Sequence, residues 1–305
     1  MDNNIYFYIP GIVGLFEVNF ALGQRLYQHP EHFYDNVKIG AIFGTIPGAI
    51  WNGGRVEPGH ISDESLQLLL DFHNDTQIPF RWTWTNPTLT SQELRDPYCN
   101  RITKMFENGI NEILVSDDRV ERYLRKEYPL YPIISSTTKR ITKPSALSQE
   151  LNKNYKLVVL DYDLNNNWDI LNNIQHPEKC EILIQPLCNP KCPVRLKHYE
   201  IAGYIQKGDY THRDLRVETC TAQHRMMHEI LQLPTVVTKE DLYNQYVPKG
   251  FRHFKIEGRG VCPMQVIEWY LYYMVKPEFH NEERAWLQQA FEAHILSPNI
   301  KVLYD

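Results

Sequence analysis

No stretch of this 305-residue chain approaches the roughly 18 uninterrupted apolar residues that a membrane span needs. The opening Met1-Asp2-Asn3-Asn4 has neither the positive region nor the apolar core of a secretory signal, so a cytoplasmic protein without a membrane partner is expected. A basic excess is also missing. Lys and Arg number 32 against 37 Asp and Glu, a formal net charge of -5, which disfavours nucleic acid as a partner while leaving room for a local basic groove. There is no internal repeat, low-complexity tract or Gly/Ser linker. No Gly-x-Gly-x-x-Gly follows the first strand. Pro10-Gly11-Ile-Val-Gly14 is too sparse to cradle a pyrophosphate, which weakens the alternative of a doubly wound open sheet. His-Glu-x-x-His and Gly-x-Ser-x-Gly are absent, which removes the helical zinc-protease and nucleophile-elbow signatures. The cysteines number six, and in a cytosolic chain they argue for ligands or buried thiols rather than disulfides.

What is present is alternation. Hydrophobic residues make up 43% of the chain, enough to bury a full core. Short β-rich runs occur at 5–9, 37–43, 80–84, 112–115, 132–135, 157–160, 181–184 and 253–256. Helical patterns lie between them at 16–28, 63–75, 99–108, 118–127, 145–153 and 167–174. Ser62-Asp63 and Ser116-Asp117-Asp118 suit helix starts, and Thr90-Ser91 before Glu93 opens a short turn that Pro97 is expected to interrupt. Eight strands with helical connections predict an α/β protein, a single (β/α)8 TIM-like barrel over 1–305. The gap between strands seven and eight predicts an insertion at 186–250 crossing the active face. Carboxyl-terminal helices follow at 263–305, where Trp269, Tyr270, Tyr272, Tyr273, Trp286 and Phe291 read as an aromatic stripe against the barrel wall.

Strand seven runs into Cys188-Asn-Pro-Lys-Cys192, two thiols at the carboxyl end of a strand, where α/β folds place their chemistry. Soft thiolates suit zinc or an iron–sulfur cluster, and a closed site needs about four ligands. Cys220 in the same insertion and Cys99 in the third βα connection can reach the barrel top, with Cys262 a rival to Cys99. Cys180 opens strand seven at the other end and reads as a buried thiol. Zinc is the alternative occupant, with His198, His212 or His224 supplying nitrogen. Polar residues also gather at strand ends: Asn52 and Arg55, Thr85 and Asn86, Ser135 to Thr137, Asp161 and Asp163. Each is a substrate contact or a turn cap. Strand eight ends in Lys255-Ile-Glu257-Gly-Arg259, read either as an internal ion pair or as a clamp in which Arg259, helped by Arg195 and Arg55, grips an anion.

The run Phe254-Lys-Ile-Glu-Gly-Arg259, with Cys188-Asn-Pro-Lys-Cys-Pro-Val-Arg195 and His198-Tyr199 some 60 residues before it, resembles the collagenase-like peptidase family, the thirty-second family of peptidases of unknown mechanism. Pro47-Gly-Ala-Ile-Trp-Asn-Gly-Gly-Arg55, Asp96-Pro-Tyr-Cys-Asn100 and Ser135-Ser-Thr-Thr138 extend the resemblance over most of the chain. It implies a TIM-like barrel, often with four cysteines holding a [4Fe-4S] cluster. Better-understood relatives are oxygen-independent hydroxylases acting on RNA or on quinone precursors, in some cases with prephenate as the apparent oxygen donor.

The leading expectation is therefore an iron–sulfur hydroxylase-type enzyme acting on an anionic small molecule or a modified nucleic-acid or quinone-type substrate. Cys99, Cys188, Cys192 and Cys220 are its metal ligands, and Lys255, Glu257, Arg259 and His198 its catalytic candidates. Arg55, Asn52, Asn86, Ser136, Asp161 and Arg195 would bind substrate. A metal-dependent peptidase and a non-catalytic barrel subunit that binds a protein of the same superfamily are the competing expectations.

Overall fold

The computed structural model describes residues 3–215, 225–258 and 262–304. Runs rich in Ile, Val, Phe and Trp form the strands, and most barrel strands are buried on both faces, β2 excepted near its start, because helical connections cover the outer one. In chain order the strands are β1 (Ile5–Pro10), β2 (Val37–Gly44), β3 (His60–Ile61), β4 (Phe80–Trp84), β5 (Glu112–Val115), β6 (Ile133–Ser135), β7 (Leu157–Val159), β8 (Cys180–Leu183), β9 (His253–Lys255) and β10 (Val302–Leu303). Eight of them close a barrel in the order β1-β2-β4-β5-β6-β7-β8-β9. The return pairing of β9 on β1 is parallel, with Phe7 opposite Phe254. The expected barrel is thus the observed one. β3 and β10 pair separately, antiparallel, with Val302 opposite Ile61.

The helices are α1 (Phe16–Gln28), α2 (Asp63–Thr76), α3 (Pro97–Met105), α4 (Asp118–Glu127), α5 (Pro144–Leu151), α6 (Trp168–Leu171), α7 (Arg195–Gln206), α8 (Met227–Ile230), α9 (Lys239–Asp241), α10 (Pro263–Met274) and α11 (His280–Leu296). Several starts follow from capping chemistry. The Ser62 hydroxyl accepts the Ser65 amide, and Asp117 accepts the amides of Arg119 and Val120. The expected short turn covers Glu93–Arg95 and ends before Pro97, and Pro97 opens α3. It sits in the first turn, where its missing N–H costs nothing, and the Asp96 carboxylate caps the helix by accepting from the Cys99 amide at 2.8 Å. No helix among the described residues is long and apolar enough to cross a membrane.

Packing divides the chain into two interleaved units. The first, Met1–Ile42, Tyr162–Pro190 and Thr221–Asn299, holds β1, β8, β9, α1, α10 and α11. Its core includes Phe7, Ile182, Phe254, Trp269, Tyr270 and Tyr273, so much of the expected aromatic stripe is buried, while Trp286 stays 40% exposed. The second unit, Phe43–Asp161, Lys191–Cys220 and Ile300–Asp305, holds β3 to β7, α2 to α5, α7 and β10. Its strands carry a buried charge pair near their amino ends. Arg81 Nε donates to Glu112 Oε2 at 2.6 Å, and Lys156 Nζ donates to Glu112 Oε1 at 2.5 Å. Burial alone would raise the Glu112 carboxyl, but these two cations outweigh it and hold it below the ordinary range.

Candidate functional site

The strongest cluster at the carboxyl ends of the strands lies in the second unit, around one carboxylate. Asp161 stands two residues beyond the end of β7, with its side chain fully buried. Arg195, the first residue of α7, donates from Nη2 to Asp161 Oδ2 and is itself 1% exposed. A third member, Arg140, was not singled out from the sequence. Its Nε lies 3.8 Å from Asp161 Oδ2, its Nη1 donates to the Cys192 carbonyl at 3.1 Å, and its side chain keeps 22% of its exposure. Two guanidinium groups thus face the Asp161 carboxylate.

Local geometry explains how Arg140 gets there. Ser136, just past β6, accepts the Thr138 amide at 3.2 Å and the Thr138 hydroxyl at 2.8 Å, closing a single 3-10 turn. The turn ends on Arg140 in the left-handed region, φ 53° and ψ 49°, a conformation that a side chain adopts at a cost of about 1–2 kcal/mol. Strain of this kind persists where surrounding contacts fix it, here the Cys192 carbonyl and Asp161. Ser136 therefore acts by shaping the turn that presents Arg140.

The loops after β2 and β4 are held by backbone-directed amides. Asn52 Nδ2 donates to the Ile46 carbonyl at 2.6 Å, and its Oδ1 accepts the Ile46 amide at 3.2 Å. Asn86 Nδ2 donates to the carbonyls of Ile50 at 2.7 Å and Gly203 at 3.1 Å. The loop after β2 is packed so closely that a β-carbon on Gly53 would lie 2.2 Å from the Thr85 carbonyl carbon. Arg55, at the loop's far end, pairs with Glu57 at 3.0 Å. Helix α7 lies against these loops. Gln206 Nε2 donates to the Ala49 carbonyl at 3.1 Å, and Lys207 Nζ donates to the Thr88 carbonyl at 2.9 Å. His198, one turn into α7, is half-buried.

In the first unit, Lys255 is 4% exposed and its Nζ lies 3.8 Å from Glu181 Oε1, so its carboxylate partner is on β8. Glu257, past the end of β9, exchanges backbone hydrogen bonds with the Gln185 side chain at 2.6 and 2.7 Å and accepts the Leu187 amide at 3.0 Å. Arg259, Cys220 and His224 lie outside the described residues.

Five cysteines are described, and none is in a disulfide. Cys99 is fully buried in α3, and burial, with the Asp96 carboxylate adding to it, pushes its thiol well above the ordinary range. Cys180 is fully buried too, and burial raises its thiol likewise. Cys188 is half-buried, Cys192 buried and Cys262 exposed. Among the described residues no cysteine sulfur belongs to a group of three metal-binding atoms; the two such groups found are His29, Glu31, His32 and His32, Glu282, Glu283. A ligand must be a thiolate. A bound cation itself deprotonates the thiol it coordinates, so the raised Cys99 thiol describes the metal-free protein.

No protein-family model matches the chain, and no curated protein matches it. Among solved structures three chains match. One of them, described as a U32 peptidase, is 12% identical, covering 85% of this chain and 94% of that chain with a TM-score of 0.49. That is a likeness of fold, and the residue roles assigned to this chain rest on its own geometry.

Proposed function

We propose that this barrel binds a small anion, a carboxylate or a phosphate, at the loops that follow β6 and β7. The observation that carries the reading is the meeting of two guanidinium groups, one of them solvent-accessible, at the buried carboxylate of Asp161. Arg195 is enclosed and anchors Asp161. Arg140 keeps solvent access and is the contact an incoming anion meets first. Guanidinium groups favour carboxylate and phosphate oxygens because the planar donor fork matches them. In an enzyme resembling the collagenase-like peptidases, the bound anion is the substrate or donor, and oxygen-independent hydroxylation is the reaction class we assign to it.

Binding of inorganic phosphate, malonate and phenylpyruvate to the wild type and to Arg140→Gln, followed by calorimetry at two salt concentrations, tests this. The expected result is at least a tenfold weaker affinity in the variant, about 1.4 kcal/mol, with a smaller salt dependence. Equal binding by both proteins would remove Arg140 from the site. The reaction class has a separate test. Iron and acid-labile sulfide in protein purified without air support the hydroxylase reading, and their absence from folded protein moves effort to peptide hydrolysis.

A further inference from the structure

A second cluster lies in the first unit, where α1 leads into β2 and so at the amino-terminal ends of the strands. It is built on His29-Pro30-Glu31-His32, a segment that no reading of the sequence had marked. We propose that His29, Glu31 and His32 form a binding site for a divalent transition-metal cation of the zinc type, with Glu283 as the carboxylate that orients His32.

The donor atoms stand at the right spacing. His29 Nδ1 is 3.3 Å from Glu31 Oε1, and His32 Nε2 is 3.7 Å from the same oxygen. All three ligand atoms fall within 4.8 Å of one another. A tetrahedral zinc with bonds of about 2.0–2.1 Å separates its ligand atoms by roughly 3.4 Å. The rings of His29 and His32 stack at 4.9 Å, and His29, whose side chain is 38% exposed, can turn to bring its lone pair onto a shared ion.

The orientation of His32 is also set. Its Nδ1 lies 2.7 Å from Glu283 Oε1, a carboxylate with no exposure, which occupies that nitrogen and leaves Nε2, on the Glu31 side, as the one that a cation would take. Arg25 Nη2 lies 3.4 Å from the same Nδ1, but its short contact is to Glu283 Oε1 at 2.6 Å, and Arg25 Nε reaches both Glu283 oxygens at 3.0 Å. A histidine that donates one ring N–H to a buried carboxylate while offering the other nitrogen outward is the usual second layer of a metal site.

The frame is rigid before any ion arrives. Phe279 stacks on His32 at 3.9 Å and 10°. The Lys276 amide donates to the His32 carbonyl at 2.8 Å, and the His32 amide donates to the His29 carbonyl at 3.0 Å. The carboxylates of Glu31, Asp35, Glu282 and Glu283 outnumber the cations Arg25 and Lys276 in the neighbourhood, which favours a dication. Three protein ligands leave a fourth position for water or a donor from another molecule.

The test uses the whole chain, free of any affinity tag, with Zn2+ and Co2+ alone as probes. Calorimetry and the visible bands of four-coordinate Co2+ are compared for the wild type, the double variant His29→Ala, Glu31→Gln, and Glu283→Gln. The first two substitutions are at outward-facing positions and leave the Arg25–Glu283–His32 contact in place, so the double variant is expected to fold. One equivalent of Zn2+ bound by the wild type, at least a hundredfold weaker binding in the double variant and a weakening of tenfold or more in Glu283→Gln would support the site. Zn2+ binding undiminished in the double variant, or wild type without the four-coordinate Co2+ spectrum, would overturn it.

Discussion

Gly203 in α7 has no room for a β-carbon, because the Asn86 side-chain oxygen stands 2.2 Å from where that carbon would sit, while the Asn86 amide donates to the Gly203 carbonyl at 3.1 Å. The oxygen cannot move aside cheaply, since it accepts the Thr88 amide at 3.0 Å and the Thr88 hydroxyl at 2.8 Å. Gly203→Ala is therefore expected to destabilise the protein by about 2 kcal/mol, and Asn86→Ala by a similar amount through lost buried hydrogen bonds. Urea unfolding midpoints check both. A shift within error for Gly203→Ala would mean that helix and loop part easily.

The Arg195–Asp161 pair makes a different demand. Asp161→Asn leaves Arg195 buried without its carboxylate, which costs about 3–5 kcal/mol. Arg140→Gln removes a partly exposed group and is expected to cost less than about 1 kcal/mol. Thermal unfolding of the two variants should separate the anchoring cation from the binding one.

Acid stability should depend on Glu150. Burial alone would raise its carboxyl, but hydrogen bonds from Lys139, Lys153 and Ser135 outweigh that and bring it down to about 2 from 4.5. The folded state thus holds the ionised form more tightly than the unfolded chain does. The resulting stability is fully present above pH 4.5 and is lost as pH falls toward 2. Glu150→Gln should flatten this part of the stability–pH curve, with a difference of about 2 kcal/mol near neutrality. Equal slopes for wild type and variant between pH 3 and 5 would refute the assignment.

Thiol labelling should follow burial. In native protein treated with a maleimide at neutral pH, Cys262 is expected to react first, and Cys99 and Cys180 only on unfolding. Peptide mapping by mass spectrometry reads the order. Rapid native labelling of Cys99 would show that α3 opens far more readily than its packing suggests.

The barrel was legible in the sequence because its strands are short apolar runs separated by helical patterns, two of which, at 63–75 and 118–127, carry a cap in the sequence. Helix α1 begins and ends where periodicity alone places it, and α4 where periodicity and the Asp117 cap do. The misses have physical causes. β3 and β10 are two residues each, too short to show a period. Helix α3 starts two residues before the pattern at 99–108, because Pro97 serves in its first turn under the Asp96 cap. Asp161 and Arg195 were singled out separately. Their meeting depends on the path of the segment after Cys192, and Arg140 joins them through a left-handed turn that no residue type announces. His29, Glu31 and His32 were passed over because they fall between two well-patterned elements, and the residue that gives them meaning, Glu283, is more than two hundred positions away.

The interleaving of the two units bears on how the protein is made. The unit that begins at Phe43 also takes in residues from Ile300 onward, and among the described residues β3 pairs with β10 alone. A nascent chain can build most of this unit as it leaves the ribosome, but the edge at His60–Ile61 stays open until Val302 and Leu303 have emerged. A chain cut before that point would lack the β3–β10 pairing and, with it, the bond from the Lys301 amide to the Ser65 hydroxyl that ties the carboxyl end to α2.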